Sequence, residues 1–249
     1  MKLLLTRLKT IRLWRYITAG ILLLGISVDA LYIFLDQNIQ LSFQETLMAS
    51  SGSVFSLYFL LLLIIADFGF DYQKTGALKQ TFRSFWQHIR CASFLCFLFV
   101  LWLTACSFLA LLLKTGTVTF NDTLLNSPPY GLENINASFA AFFNVLLLYL
   151  YFVFIAAVVL TINSSCKKRP LGYLGVLVIS IFDAIVYTFY IFPSGFFPIE
   201  YASVGSALLA TASIPISIVI SVLYWLVLIT ATGLIYHIMN KRSKGGCLI

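Results

Sequence analysis

Residues 138–169 read SFAAFFNVLLLYLYFVFIAAVVLTINSSCKKR, an apolar run that ends in three consecutive basic residues. The apolar part, 138–162, contains no charged residue and exceeds the roughly 20 residues that a helix needs to cross a hydrocarbon core. The triplet Lys167, Lys168 and Arg169 follows closely, and such residues concentrate on the cytoplasmic side of membrane proteins. The stretch therefore predicts a transmembrane helix whose second end lies inside the cell.

The same pattern recurs along the chain. The apolar windows predict six spans, near 17–36, 52–70, 92–114, 138–162, 171–193 and 214–239. With 61% hydrophobic and 10% charged residues, the chain lacks the polar surface of soluble domains, in which roughly 25% of residues are charged. We therefore expect an all-α polytopic membrane protein in which residues 1–249 form a single transmembrane domain.

The basic residues predict the orientation of these spans. Fifteen of the 16 lysines and arginines lie in the segments 1–16, 74–90, 167–169 and 241–244. The alternating connections, about 37–50, 115–137 and 194–213, contain none, and only Lys114 lies beside one of them. By the positive-inside rule, both termini are cytoplasmic and the protein is expected in a cell membrane, of the bacterial plasma membrane type. The formal charge of +7 then reflects topology, and nucleic acid is not an expected partner.

Two segments outside the spans are predicted to lie against the bilayer. In residues 1–16, Leu4, Leu8 and Ile11 recur at helical spacing between basic residues, which indicates an amphipathic helix along the inner interface. Between the fifth and sixth spans, residues 201–213 are rich in Ala and Ser and are flanked by prolines. This segment is interpreted either as a re-entrant outer hairpin or as a plain outer loop.

The connection between the second and third spans, 67–90, reads DFGFDYQKTGALKQTFRSFWQHIR. Its apolar residues fall on one side of a helix: Leu78, Phe82, Phe85, Trp86 and Ile89. The other side carries Lys79, Gln80, Arg83, Gln87 and Arg90. Two interpretations stay open: an interfacial helix that rests on the inner leaflet, or a coupling helix whose aromatic cluster fits a groove in a soluble partner.

Two acids interrupt the predicted spans. Asp29 lies in the latter half of the first span and Asp183 near the middle of the fifth, where a charged carboxylate costs about 2.5–3.5 kcal/mol on insertion scales. They either line a water-filled pathway for substrate or protons, or hold helices together through hydrogen bonds, with Asn144 among the candidate partners. The other candidate partners are Ser27, Ser180 and Tyr187.

Catalytic and metal-binding motifs are not found in the sequence. The two histidines, His88 and His237, belong to no His-Glu-x-x-His motif, and no Gly-x-Ser-x-Gly or Cys-x-x-Cys pattern occurs. We therefore predict no catalytic residue, no metal site and no cofactor bound by this chain, which is expected not to be an enzyme.

The layout as a whole resembles the permease subunit of a type 2 ABC exporter. The shared features are a basic amphipathic amino-terminal helix, six spans, a long helical loop after the second span and a broken apolar hairpin before the sixth. The stretch ADFGFDYQKTGALKQTFRSFWQHIRCASFL is similar to the region in which an acidic residue, a Thr-Gly pair, a Leu-rich helix and a basic residue lead into the third span. Here these are Asp71, Thr75-Gly76, Leu78 and Arg90. Many members have Glu and a Ser-Arg pair where this chain has Asp71 and His88-Ile89-Arg90.

The resemblance implies a homo- or heterodimer of permease subunits bound to two cytoplasmic ATPase subunits. The expected ATPase contact comprises Thr75, Gly76, Leu78, Phe82, Phe85, Trp86 and Ile89, and the expected polar residues of the pathway are Asp29, Asn144 and Asp183. ATP and Mg are expected only in the partner, because the chain has no Gly-x-x-x-x-Gly-Lys-Ser/Thr phosphate loop. The alternative is a stand-alone secondary transporter driven by protons, or a membrane immunity protein without an ATPase.

Overall fold

A computed structural model describes residues 42–53, 82–122, 136–166, 174–175, 178 and 214–245. This part of the chain contains four helices: α1 (Phe43–Ser53), α2 (Phe82–Thr115), α3 (Ala137–Cys166) and α4 (Ile214–Gly245). Residues 174, 175 and 178 are also helical, and no β-strand occurs within these ranges. The predicted all-α class is therefore confirmed for the part of the chain that the structure describes.

Three of these helices contain segments long and apolar enough to cross a membrane. They are Phe85–Thr115, Ala137–Ile162 and Ile216–Met239. The segments match the predicted third, fourth and sixth spans, so the expectation of several membrane spans is supported by length and composition. The predicted spans near 17–36, 52–70 and 171–193 lie wholly or mostly outside the described residues, as do the helix 1–16 and the hairpin 201–213.

The chain divides into two compact units. The first consists of Met1–Leu57 with Leu98–Phe142, and the second of Tyr58–Phe97 with Phe143–Ile249. Helices α2 and α3 therefore each contribute one part to each unit.

Helix α2 is longer than the predicted span. It has 34 residues, which corresponds to about 51 Å at 1.5 Å per residue, whereas the hydrocarbon core is about 30 Å thick. We expected a separate coupling helix before a span that starts near residue 92, but α2 continues without a break from Phe82. The physical reason is that residues 82–115 contain neither proline nor glycine, so nothing interrupts the backbone hydrogen bonds.

The end of α2 is defined by a glycine. Gly116 has a φ of +71°, and its N–H donates a hydrogen bond to the Leu112 carbonyl oxygen at 2.9 Å. A left-handed residue after the last turn satisfies a carbonyl group that would otherwise have no partner in the helix, and glycine adopts that conformation without a steric penalty. The chain then turns into the segment 117–122.

The surfaces of α2 and α4 suit a lipid environment. On α2 the exposed large apolar residues are Phe94, Phe97, Leu98, Leu101, Phe108, Leu109, Leu112 and Leu113. On α4 they include Ile216, Val219, Leu223, Leu226, Val227, Leu234, Ile235 and Ile238. Apolar surface of this extent is typical of protein that faces lipid or another protein.

Polar side chains inside these helices bond to their own backbone. The hydroxyl groups of Thr104, Ser107, Thr161, Ser221, Thr230 and Thr232 each donate to the carbonyl oxygen four residues earlier. Because lipid offers no hydrogen-bonding partner, such internal bonds remove the cost of placing a hydroxyl group in a span.

The core of the second unit is centred on α3 and Trp225. Nearly every side chain from Tyr151 to Leu160 is buried, and Trp225 of α4 is 0% exposed. The Trp225 ring lies 5.4 Å from the Tyr151 ring and 5.6 Å from the Phe154 ring, measured between centroids. These contacts fasten α4 to α3 within the unit.

Candidate functional site

The face predicted to bind an ATPase is only partly described. Thr75, Gly76 and Leu78 lie outside the described residues. Phe82 is the first residue of α2, and its side chain also lies outside them. The structure therefore describes the side chains of three of the seven predicted contact residues, namely Phe85, Trp86 and Ile89.

Two of these three residues point into the protein. Phe85 is 0% exposed and Ile89 is 5% exposed. The Phe85 ring packs against the Tyr236 ring of α4 at 5.1 Å and against the Trp86 ring at 5.6 Å. Trp86 itself is half-buried. The described part of the predicted apolar face is therefore covered by this chain at Phe85 and Ile89.

The surface that remains available at this end of α2 is polar. Gln87 and Arg90 are exposed, and Trp86 is partly accessible beside them. His88 is buried on the same side as Phe85 and Ile89, whereas His237 of α4 is exposed. A soluble partner that approaches the start of α2 would therefore meet Trp86, Gln87 and Arg90.

The predicted pathway residues are not brought together within the described part of the chain. Asp29 and Asp183 lie outside it, and so do Ser27, Ser180 and Tyr187, the other candidate partners. Asn144 is almost completely buried on α3. In the second unit, the hydroxyl groups of Ser93 on α2 and Tyr149 on α3 form a hydrogen bond. The sequence did not point to this pair.

Helix α1 begins with a capping box that the sequence analysis also missed. The Ser42 N–H and hydroxyl group donate to Glu45 Oε2 at 2.8 and 2.9 Å, and the Glu45 N–H donates to Ser42 Oγ at 3.3 Å. This reciprocal arrangement satisfies amide groups at the start of a helix. The signal was present as Ser-x-x-Glu at 42–45, within the connection 37–50.

A cluster of buried polar residues surrounds this cap in the first unit. Ser42, Gln44, Glu45 and Thr46 are all 4% exposed or less. Gln44 Nε2 donates to the Asn121 carbonyl oxygen at 3.2 Å and to Ser138 Oγ at 3.1 Å. The Asn121 N–H donates back to Gln44 Oε1 at 3.4 Å. We call these six residues the Gln44 cluster.

The Gln44 cluster joins two connections that are distant in sequence. Backbone hydrogen bonds reinforce it, from the Phe43 N–H to the Thr119 carbonyl oxygen and from the Ala137 N–H to the Asp122 carbonyl oxygen, both at 2.9 Å. The Phe43 ring also contacts the rings of Phe108 and Phe120. Residues 42–46 thus meet residues 119–122 and 137–138 in one place.

Among the described residues, no group of three or more His, Cys, Asp or Glu side chains could hold a metal ion. Cys96 and Cys106 are buried free thiols, one in each unit. The described residues instead offer a hydrogen-bonded polar cluster in the first unit and, in the second, a helix end at which Arg90 is exposed.

Comparison with protein-family models, with curated proteins and with solved structures finds no match for this chain.

Proposed function

We propose that the chain is the transmembrane permease subunit of an ATP-driven ABC exporter. In this proposal it forms the substrate pathway with a second permease subunit, in a homo- or heterodimer, and is coupled to separate cytoplasmic ATPase subunits that bind ATP and Mg. The charge distribution along the sequence and the resemblance of residues 66–95 to the family support this assignment. The chain has no phosphate loop of its own, so a partner would supply hydrolysis.

The observation that best supports the proposal is the continuity of α2. The segment expected to contact an ATPase is the start of the same helix that forms the third span, and residues 82–115 contain no proline or glycine at which the helix would bend. The packing of Phe85 on Tyr236 fastens this start to α4 as well. A displacement of the helix start would therefore pass directly to two spans.

We propose that the ATPase contact lies on the accessible side of α2. Since Phe85 and Ile89 are covered by this chain, the ATPase contact is proposed at Trp86, Gln87 and Arg90, together with the predicted residues Thr75, Gly76, Leu78 and Phe82. Tryptophan and arginine are the residues most often found as energetic centres of interfaces.

Co-purification tests the proposal. An affinity-tagged chain isolated from its native membrane is expected to bring down an ATPase with a phosphate loop, and Trp86→Ala is expected to weaken this binding about thirtyfold, equivalent to about 2 kcal/mol. Leu101→Ala is the matched control, because Leu101 is an apolar residue of the same helix and its side chain is 49% exposed. Recovery of the chain without any ATPase would refute the proposed function. Equal recovery with Trp86→Ala would place the contact elsewhere.

The two acids of the predicted spans favour a second candidate, a proton-driven secondary transporter. Asp183→Asn distinguishes the candidates, because asparagine keeps the polar shape but does not titrate. In a proton-driven transporter, transport should stop and lose its dependence on the pH gradient. In an ABC permease, transport should survive, because an Asn can still make interhelical contacts worth on the order of 0.6 kcal/mol each. We expect survival, and complete loss in a folded Asp183→Asn protein would contradict the ABC proposal.

A further inference from the structure

The chain reverses its direction where α2 ends. Gly116 closes the helix in a left-handed conformation, and the residues that follow it up to 122 are not helical. Val118 is partly buried against a cluster of fully buried side chains from the preceding turns of α2, namely Cys106, Ala110 and Leu111. The chain after Gly116 therefore runs back along the helix that it has just left. We call residues 116–122 the fold-back segment.

The charged residues of α2 place this contact at membrane depth. Arg90 and Lys114 are 24 residues apart, and residues 91–113 between them carry no charge. This distance is about 36 Å along a helix, only slightly more than the roughly 30 Å of a hydrocarbon core. The segment Phe85–Thr115 is long and apolar enough to span that core. The cluster against which Val118 packs lies three to eight residues before Lys114, about 4.5–12 Å closer to the bilayer centre.

A backbone that is not helical at this depth must find its hydrogen-bonding partners within the protein, because hydrocarbon offers none. Four carbonyl groups of the fold-back segment accept hydrogen bonds from this chain: Thr117 from the Thr115 hydroxyl group, Thr119 from the Phe43 N–H, Asn121 from Gln44 Nε2, and Asp122 from the Ala137 N–H. Gln44 Oε1 also accepts from the Asn121 N–H. The single side-chain amide of Gln44 thus makes the two bonds that a neighbouring β-strand would exchange with Asn121.

The fold-back segment also presents an apolar side chain on its surface. Phe120 is 64% exposed, and its ring lies 5.5 Å from the Phe43 ring. The Phe43 ring lies in turn 6.0 Å from the ring of Phe108, which is 41% exposed on α2. The exposed surface of Phe120 therefore continues the exposed apolar surface of α2.

From these observations we propose that the fold-back segment is a re-entrant element of the outer leaflet, in which α2 ends by the predicted orientation. Acyl chains of phospholipids cover Phe120 and the adjoining apolar surface of α2. Residues 115–121 carry no charge, and the charged residues Lys114 and Asp122 on either side mark where the chain enters and leaves the hydrocarbon. A loop in water would leave Phe120 exposed to water, and water could replace the Gln44 amide at Asn121.

The re-entrant element involves only this chain and lipid, so it goes beyond the exporter proposal and does not depend on an ATPase. It also differs from the predicted hairpin at 201–213. The connection 115–137, expected on the outer side, would begin within the membrane.

Spin-label depth measurements on the full chain in phosphatidylcholine vesicles test the proposal. Single cysteines replace Leu109, Leu113, Phe120 or Asp122 in a background in which all five native cysteines are serine. Collisions of each nitroxide with oxygen, which concentrates in hydrocarbon, are compared with collisions with a water-soluble nickel chelate. Leu109 and Leu113 are both exposed and lie about 6 Å apart along α2, so they calibrate the depth. The Phe120 label should lie on the Leu109 side of Leu113, and the Asp122 label should be accessible to nickel.

Gln44→Leu tests the role of the amide. Leucine is similar in size but bonds to neither backbone group of Asn121, so in hydrocarbon the fold-back segment would lose its partner. The Phe120 label should then move outward past the level of Leu113 and become accessible to nickel. Ser138→Ala is the matched control, because it removes one hydrogen bond of Gln44 but keeps both bonds to Asn121, and it should leave the label in place.

Three outcomes would overturn the proposal. Nickel accessibility of the Phe120 label in the unsubstituted background would show a loop in water. Shielding of this label from both oxygen and nickel would show that protein, such as a second copy of the chain, covers Phe120. A label that stays at the same depth in Gln44→Leu would show that the amide does not hold the segment in the membrane.

Discussion

Trp225→Ala is expected to destabilise the second unit by about 3–5 kcal/mol, the range for removal of a large buried aromatic side chain. Trp225 is fully buried, and its ring contacts the rings of Tyr151, Phe154 and Tyr224. Alanine would leave a cavity at the point where α4 packs on α3. Because these rings also pack edge-on or tilted against one another, the loss includes specific aromatic contacts in addition to buried area.

A thiol-labelling experiment measures this effect. Cys96 is completely buried and belongs to the same unit as Trp225, so a reagent reaches it only when that unit opens. In a background where the other four cysteines are replaced by serine, Trp225→Ala should raise the labelling rate of Cys96 by a factor of about a hundred or more. Leu226→Ala, at a neighbouring position with 50% exposure, should leave the rate nearly unchanged. Equal rates in the two variants would show that Trp225 does not stabilise the unit.

Gln44→Ala is expected to destabilise the first unit by about 2–3 kcal/mol. The substitution removes all three hydrogen bonds that the Gln44 side chain makes, two to Asn121 and one to Ser138. These hydrogen bonds are part-buried, and a typical one contributes about 0.5–1.5 kcal/mol net, so the loss of all three gives the expected range. The start of α1 would consequently separate more easily from the connection that follows α2.

Cys106 provides the corresponding measurement, because it is completely buried in the first unit and packs with Ala110 and Leu111. Its labelling rate should rise at least thirtyfold in Gln44→Ala, as about 2 kcal/mol corresponds to that factor. Thr119→Ala is the matched control, since it truncates an exposed side chain in the same cluster region but keeps the carbonyl group that accepts from Phe43. A Cys106 rate that is insensitive to Gln44→Ala, or equally sensitive to Thr119→Ala, would contradict the assigned role of the Gln44 amide.

The candidate ATPase contact shows what a helical pattern can and cannot predict. Periodicity correctly grouped Phe85 and Ile89 on one apolar face of a helix. It did not reveal that Tyr236, about 150 residues later in the chain, covers Phe85. An apolar face looks the same in the sequence whether it is covered by the same chain, by lipid or by another protein.

The helix ends illustrate a different limit. The start of α1 could have been predicted from Ser42 and Glu45, because a capping box is a local pattern. Hydropathy did not locate the start of α2, because a helix can continue into polar sequence when neither proline nor glycine interrupts it, as over residues 82–91. Hydropathy indicates where lipid begins, and backbone hydrogen bonding decides where a helix ends.

The sequence by itself determined the all-α class of the described residues and three helical segments, matching the predicted spans 92–114, 138–162 and 214–239, that are long and apolar enough to cross a membrane. The physical reason is that hydrocarbon leaves the backbone no partner except its own carbonyl groups, so a long apolar run must be helical. Only the tertiary structure decided which side chains meet, because contacts such as Phe85 with Tyr236 and Gln44 with Asn121 and Ser138 join residues distant in the chain. Such pairings depend on how whole helices pack, which no local pattern specifies.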